Sequence, residues 1–275
     1  MHDLLLPLDV ERLRREWRSA QPYPHVMIEP FLKPGQGEAI AAEYPTFESA
    51  RKLGHEFRFV NETGKIQVSD SKLFTPAVAR LNEVLASPEF LEQLVQITGV
   101  PSLLADPQLA GGGMHVTGPQ GRLDVHVDFN FDQKRKWHRR MNLLLYLNPE
   151  WRPEWKGAVE MWDTKVKRRH QAFSPILNRC VIFETSSISY HGVEQVVCPP
   201  GMVRKSFATY YYTKEAPPGW DGKVHDTIFR ARPDEKLKAY VTMPAEKVAR
   251  GVKRALRRVY GFAERRIRGG TATEG

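Results

Sequence analysis

Arg122-Leu123-Asp124-Val125-His126-Val127-Asp128-Phe129 is the stretch on which the reading of this chain turns. Its alternation is that of a β-strand, whose successive side chains point to opposite faces. His126 and Asp128 then share one face, while Val125 and Val127 share the other. An imidazole and a carboxylate side by side on a rigid strand supply two corners of a metal site. Bonded to each other or to water, the same pair is an ordinary strand surface.

Short β-like runs flank this strand on both sides. They are Met114–Thr117, Leu123–Phe129, Arg140–Leu147, Ala158–Trp162, Cys180–Glu184, Val193–Val197 and Lys205–Thr213, separated by turn residues. Such spacing predicts a sandwich or barrel of antiparallel strands. Gly111-Gly112-Gly113 precedes a strand, with no Lys-Ser or Lys-Thr after it, and so reads as a bulge or tight turn and not a phosphate loop.

The chain ahead of residue 105 reads mainly as helix. Val10 to Ser19 carries apolar spacing at Val10, Leu13 and Trp17, and Pro22 to Phe31 is extended. Further helices are predicted from Pro34 to about Tyr44, from Thr75-Pro76 through Leu85, and from Ser87-Pro88 to Thr98, where Gly99 stops the last. At the far end, Val248, Val252, Ala255, Leu256, Val259, Ala263 and Ile267 recur at helical spacing.

Composition narrows the function classes. The 275 residues are 41% apolar, 10% aromatic and 27% charged, which suits a globular protein and argues against disorder. The longest near-apolar stretch, Leu143 to Leu147, is far short of the ~20 residues of a membrane span. Asp3, Pro7 and Asp9 around Leu4-Leu5-Leu6 do not make a signal peptide. Cys180 and Cys198 are too few for a disulfide scaffold or a cysteine zinc site, so a reducing cytoplasm is expected.

The net charge of +9 is unevenly spread. Residues 1–133 carry 12 basic and 18 acidic side chains, residues 134–220 carry 15 and 7, and residues 221–275 carry 14 and 7. Lys134, Arg135, Lys136, Arg139 and Arg140 form one cluster, which either lines an entrance for an anionic substrate or is a solvated loop. Lys165, Lys167, Arg168 and Arg169 form another. Nine basic residues and one acidic residue lie between Lys247 and Arg268, opposite the apolar stripe. That helix either packs on the barrel or touches a membrane surface.

Two later residues extend the metal reading. His191 adds a second imidazole, and two histidines with one carboxylate make the facial triad of non-haem Fe(II) oxygenases. Arg204 opens a strand on which Arg204, Ser206, Ala208 and Tyr210 share a face. An arginine at a barrel mouth suits a bidentate grip on a dicarboxylate, with the Ser206 hydroxyl nearby, or a rim salt bridge.

Taken in order, Gly111-Gly112-Gly113-Met114-His115, then Arg122 to Phe129, then Asn142-Leu143-Leu144-Leu145-Tyr146-Leu147-Asn148 carry a family pattern. Lys156-Gly157-Ala158-Val159-Glu160-Met161-Trp162, His191-Gly192-Val193 and Arg204-Lys205-Ser206 continue it. The set resembles the prolyl-4-hydroxylase-like family of 2-oxoglutarate/Fe(II) dioxygenases across roughly residues 23–213, and Asp226 to Arg230 resembles bacterial members. Many relatives carry Gly-Gly where this chain has Lys156-Gly157.

The resemblance implies a mainly β fold with flanking helices: a double-stranded β-helix (jelly-roll, cupin-like) core with N-terminal helices on one sheet. One dioxygenase domain would span 1–219, helical over 1–105 and jelly-roll over about 106–213. A C-terminal extension, 220–275, would carry the basic amphipathic helix at about 245–268. His126, Asp128 and His191 would bind Fe(II). Arg204 would bind the C5 carboxylate of 2-oxoglutarate, aided by Tyr146. O2 would be the second co-substrate and ascorbate the reductant in vitro.

The Asp128 carboxylate favours hydroxylation over the chlorination of relatives that replace it. Tyr210 stands where nucleic-acid repair dioxygenases carry a second arginine, so nucleic acid is not the expected substrate. A small-molecule or peptidyl substrate is. His115 either meets co-substrate or substrate or makes a structural hydrogen bond. Asn142, Glu160 and Trp162 are assigned barrel-facing parity, with core packing as the alternative. Two other readings stand beside the oxygenase. One is a non-catalytic jelly-roll that binds anionic lipid or glycan, which the triad with Arg204 opposes. The other is a cupin-like metalloenzyme without 2-oxoglutarate, which Arg204 opposes.

Overall fold

The structure is a computed structural model that describes residues 3–235 together with residues 238 and 242. The helix expected at about 245–268, and its membrane contact, lie outside the described residues. Met1–Arg230 forms one compact unit and Ala231–Gly275 a second. Among the described residues no helix is long and apolar enough to cross a membrane.

Five helices belong to the first unit: α1 (Val10–Ser19), α2 (Gln36–Ala42), α3 (Phe47–Leu53), α4 (Pro76–Leu85) and α5 (Pro88–Thr98). Their ends follow from local chemistry. The Asp9 side chain accepts the Arg12 backbone N–H and caps α1. Ser87 does the same for α5 through the Phe90 N–H, Pro88 takes its first turn, and Gly99 ends it at φ +73°. α3 was not expected; the Thr46 side chain caps it.

The strands are β1 (His25–Ile28), β2 (His55–Arg58), β3 (Glu62–Val68), β4 (Leu104–Ala105), β5 (Gly113–Val127), β6 (Phe131–Asp132) and β7 (Trp137–Tyr146). They continue as β8 (Val159–Trp162), β9 (Arg169–Phe173), β10 (Cys180–Glu184), β11 (His191–Val193), β12 (Arg204–Thr213) and β13 (Ile228–Arg230). They form a curled antiparallel sheet in the order β1-β10-β7-β12-β5-β11-β8-β9, a double-stranded β-helix.

The long strand β5 joins the two halves of the barrel. Its first part pairs with β12, from Ala208↔Gly113 to Arg204↔Thr117, and its last part pairs with β11 at His191↔His126. The two short runs expected over 114–117 and 123–129 are therefore one strand. The run expected over 193–197 is instead a short strand that ends at Val193.

Alternation along β7 and β12 separates two cores. Met141, Leu143, Leu145, Phe207 and Tyr211 face outward into a large cluster with helix residues such as Leu13, Leu81 and Phe90. Asn142, Leu144, Tyr146, Ser206, Ala208 and Tyr210 face inward. Gly113 makes the entry into β5 possible. It sits at φ +92°, and a Cβ there would lie 2.2 Å from the Val68 carbonyl oxygen. The glycine triplet is thus a close-packed turn, as expected.

Two further pieces complete the barrel. The β2–β3 hairpin lies along β5, with Lys65↔Thr117 and Gln67↔His115 in register. β13 pairs with the other end of β5, setting Phe229 opposite His126. This strand follows residue 219, so the first part of the expected extension is laid onto the sheet.

Candidate metal and co-substrate site

His126 and His191 face each other across the β5–β11 pair, their ring centroids 4.3 Å apart. Asp128 lies one residue beyond β5. Its Oδ1 is 3.5 Å from His126 Nε2 and its Oδ2 is 3.5 Å from His191 Nε2. One ligand atom from each of the three lies within 4.8 Å of those of the others. All three residues are at least nine-tenths buried.

Hydrogen bonding sets the form of the histidines. His126 Nδ1 is 2.9 Å from the Asp124 carbonyl oxygen, and His191 Nδ1 is 3.0 Å from that of Ser189. A carbonyl cannot donate, so each Nδ1 carries the proton and each Nε2 presents a lone pair towards Asp128. Backbone carbonyls that fix the tautomer in this way are the usual support of metal-binding histidines. Burial, with the neighbouring His126, pushes His191 down to about 3, so its imidazole is neutral at any ordinary pH.

Asp128 supplies the matching anion. Burial alone would raise its pKa, but the Arg139 charge beside it holds it well below the usual carboxylate range. Its Oδ2 accepts Asn142 Nδ2 at 2.7 Å and lies 3.0 Å from Arg139 Nη2. Two imidazoles and one ionised carboxylate, dry and already oriented, fit a divalent metal ion of intermediate hardness.

Arg204 lies further along the inward face. It is 4% exposed, and among the described residues no carboxylate pairs with it. Its Nε donates to the Gly157 carbonyl at 2.8 Å and its Nη1 to Ser206 Oγ at 3.3 Å. The guanidinium lies 4.9 Å from the centre of the Tyr146 ring. The Tyr146 hydroxyl is buried with no hydrogen-bond partner among the described residues, and burial raises its pKa to about 12 against the opposing Arg204 charge. A buried guanidinium and a phenol side by side could together hold a carboxylate.

The other candidates divide. Asn142 faces the site and bonds Asp128. His115 also faces inward, opposite Ser206, where its Nε2 is 3.0 Å from the Gly111 carbonyl; that is a structural hydrogen bond. Burial and the charges of Lys65 and Arg204 push its pKa well below the usual histidine value.

Glu160 and Trp162 do not face inward. Met161, not its neighbours, stands opposite His191, and Trp162 packs with Val125 and Val127 on the outer face of β5. Glu160 bonds Arg169 there at 3.0 Å. Their assigned parity is corrected by the register across β8 and β11.

Most of the first basic cluster is internal. Arg135 bonds Asp106 and Asp132, Arg139 lies on Asp128, and Arg140 reaches Thr213, which leaves Lys134 and Lys136 exposed. The sequence reading missed Arg139 as a neighbour of the site. It also missed Phe183 and Phe229, whose rings lie 4.6 Å from His191 and 5.3 Å from His126.

The comparisons agree with this geometry. The family described as the 2OG-Fe(II) oxygenase superfamily matches residues 112–212, from the glycine turn through β12. Over those residues the chain is similar to that superfamily. No curated protein sequence matches the chain.

Among solved structures, the chain is similar to a prolyl-4-hydroxylase from Pseudomonas putida. The TM-score is 0.55 and the identity 16%, covering 74% of this chain and 100% of that one. A prolyl hydroxylase from Trichoplax adhaerens, in complex with a hypoxia inducible factor peptide fragment, gives 0.52 at 14% identity over 74% and 91%. The non-heme alpha ketoglutarate dependent carbocyclase SnoK from nogalamycin biosynthesis gives 0.52 at 12% over 84% and 92%. At such identities the likeness is one of fold.

Proposed function

We propose that this oxygenase binds Fe(II) through His126, Asp128 and His191 and holds 2-oxoglutarate through Arg204, Ser206 and Tyr146. The observation that carries the reading is Arg204: a buried guanidinium with no acid partner among the described residues, on the same inner wall as the two imidazoles and the carboxylate. A metal-binding cupin that does not use 2-oxoglutarate has no need of it.

When bound, the iron supplies the activation of dioxygen that drives insertion of one oxygen atom into a C–H bond. The balanced reaction converts substrate C–H, 2-oxoglutarate and O2 to C–OH, succinate and CO2. The chain's own residues position and exclude water. Asp124 and Ser189 carbonyls aim the two imidazoles, Asn142 aims the carboxylate, and Gly157 and Ser206 aim the guanidinium. Phe183 and Phe229 shield the histidine rings.

The substrate we infer is a small molecule or a peptidyl side chain of amino-acid or secondary-metabolite type. The same fold serves a prolyl hydroxylase seen with a peptide fragment and a carbocyclase of nogalamycin biosynthesis. We place the reaction in the cytoplasm, in keeping with the free, buried thiols of Cys180 and Cys198.

Anaerobic addition of Fe(II) and 2-oxoglutarate should give the visible charge-transfer band of a chelated keto acid. His126→Ala and Arg204→Ala should each abolish it, and with O2 and ascorbate the wild type should release succinate. Absence of the band in the folded wild type would sink the proposal.

A further inference from the structure

Arg139 is the most heavily committed side chain near the site. Beyond its contact with Asp128, its Nε and Nη2 donate together to Asn142 Oδ1, at 3.0 and 2.7 Å. Because Asn142 also donates to Asp128, the three side chains close a triangle. Thr185 Oγ1 braces it from β10's end, donating to Asn142 Oδ1 at 3.2 Å. The guanidinium lies against aromatic faces, 3.5 Å from the centre of the Tyr210 ring and 4.7 Å from that of Phe129. Its side chain is 2% exposed.

A cation in this place is not neutral for metal binding. Its charge repels a divalent ion, and its N–H groups occupy Asp128 lone pairs that a metal could use. What it offers in return is geometry. A planar guanidinium held over aromatic rings has little freedom, and its fork fixes the amide and the carboxylate relative to each other.

We propose that Arg139 is a positioning residue for the metal site: stacked on Tyr210 and braced through Asn142 and Thr185, it sets the orientation of Asp128 before the metal arrives. This rests on the metal reading of His126, Asp128 and His191.

The test is titration of the metal-free chain with Co(II), read by affinity and by the visible d–d band, which reports coordination geometry. Wild type should bind one ion; if the folded wild type binds none, the metal reading fails and this one falls with it, whereas a wild type that binds leaves the variants to judge Arg139 alone. Arg139→Lys keeps the charge and loses the fork, while Arg139→Met loses both. Both should bind Co(II) about ten- to a hundredfold more weakly, with a shifted band, while their metal-free circular dichroism stays that of the wild type.

An Arg139→Lys protein with wild-type affinity and band would overturn the proposal, since charge alone would then suffice. So would an Arg139→Met protein that binds more tightly, as simple repulsion requires. Where neither variant folds, Thr185→Val decides. A weaker affinity with a shifted band supports the brace, and no change in either overturns it.

Discussion

Arg204 donates its Nε to the carbonyl of Gly157 at 2.8 Å, although 46 residues separate the two in the chain. The contact ties the arginine proposed to hold the co-substrate to the turn before β8, at the place where this chain has lysine followed by glycine. Gly157 has φ +76°, and a Cβ there would lie 3.2 Å from Arg204 Cδ. The turn therefore sets both the height of the guanidinium and the direction of one of its bonds.

Replacing Arg204 by methionine should separate binding from folding. Hydrogen bonds to charged groups contribute about 1.5–3 kcal/mol each, so losing the grip should weaken 2-oxoglutarate binding on the order of a hundredfold. The metal-free protein should be no less stable, because a buried, unpaired guanidinium is replaced by a side chain that needs no partner. In Mn(II), 2-oxoglutarate should raise the Tm of the wild type and not of Arg204→Met. Equal shifts would show that the acid binds elsewhere.

Lys156 is the strained half of the same turn, with φ +53° and ψ −138°. A side chain in such a region costs about 1–3 kcal/mol, while glycine costs about 0.5–1 kcal/mol of extra unfolded-chain freedom. Lys156→Gly should therefore stabilise the protein by about 1 kcal/mol and raise Tm by roughly 2–4 °C. A lower Tm would mean that the lysine is held by something stronger than its strain.

The pairing of His126 with Asp128 was legible because strand parity is local: the two are two apart at the end of β5, and no partner strand is needed to put them on one face. Arg139 was hidden by an irregularity. Tyr211 stands opposite Met141 but Tyr212 stands opposite Arg139, so Arg140 is bulged out. Strict alternation back from Asn142 would turn Arg139 outward; the bulge turns it in. Glu160 and Trp162 failed for the opposite reason. Their strand alternates regularly, but which face is inner depends on the register with His191. The β2–β3 hairpin carries Glu62, Thr63, Gly64, Lys65 and Gln67, a weak strand pattern that becomes a strand by pairing with β5.

Trp162 provides a control on that correction. It is 7% exposed and packs behind β5 on Val125 and Val127. Trp162→Phe should cost about 1–3 kcal/mol of stability through lost packing. It should leave Co(II) affinity and the Fe(II)–2-oxoglutarate band unchanged. A change in either would return the indole to the inner face.

Stability in acid should follow the buried histidines. His25, His115 and His191 all have pKa values pushed below the ordinary 6.5, first of all by burial, with His191 at about 3. The unfolded chain binds protons at these positions as pH falls below about 6.5, whereas the folded chain does not. Their contribution is thus complete above that pH and lost progressively beneath it, at up to about 1.4 kcal/mol per pH unit for each histidine. Asp128 works in the same direction but lower on the scale: its depressed pKa gives stability that is complete above the usual carboxylate range and is lost only as pH falls through it. Between pH 6.5 and roughly 4.5 the histidines therefore govern. In EDTA, the urea midpoint should fall steeply from pH 7 to pH 5.5. Adding Mn(II) should hold the midpoint up at pH 7 and delay the fall, because the metal takes only the neutral imidazoles. A midpoint independent of pH over that interval would mean that these rings are protonated in the folded chain.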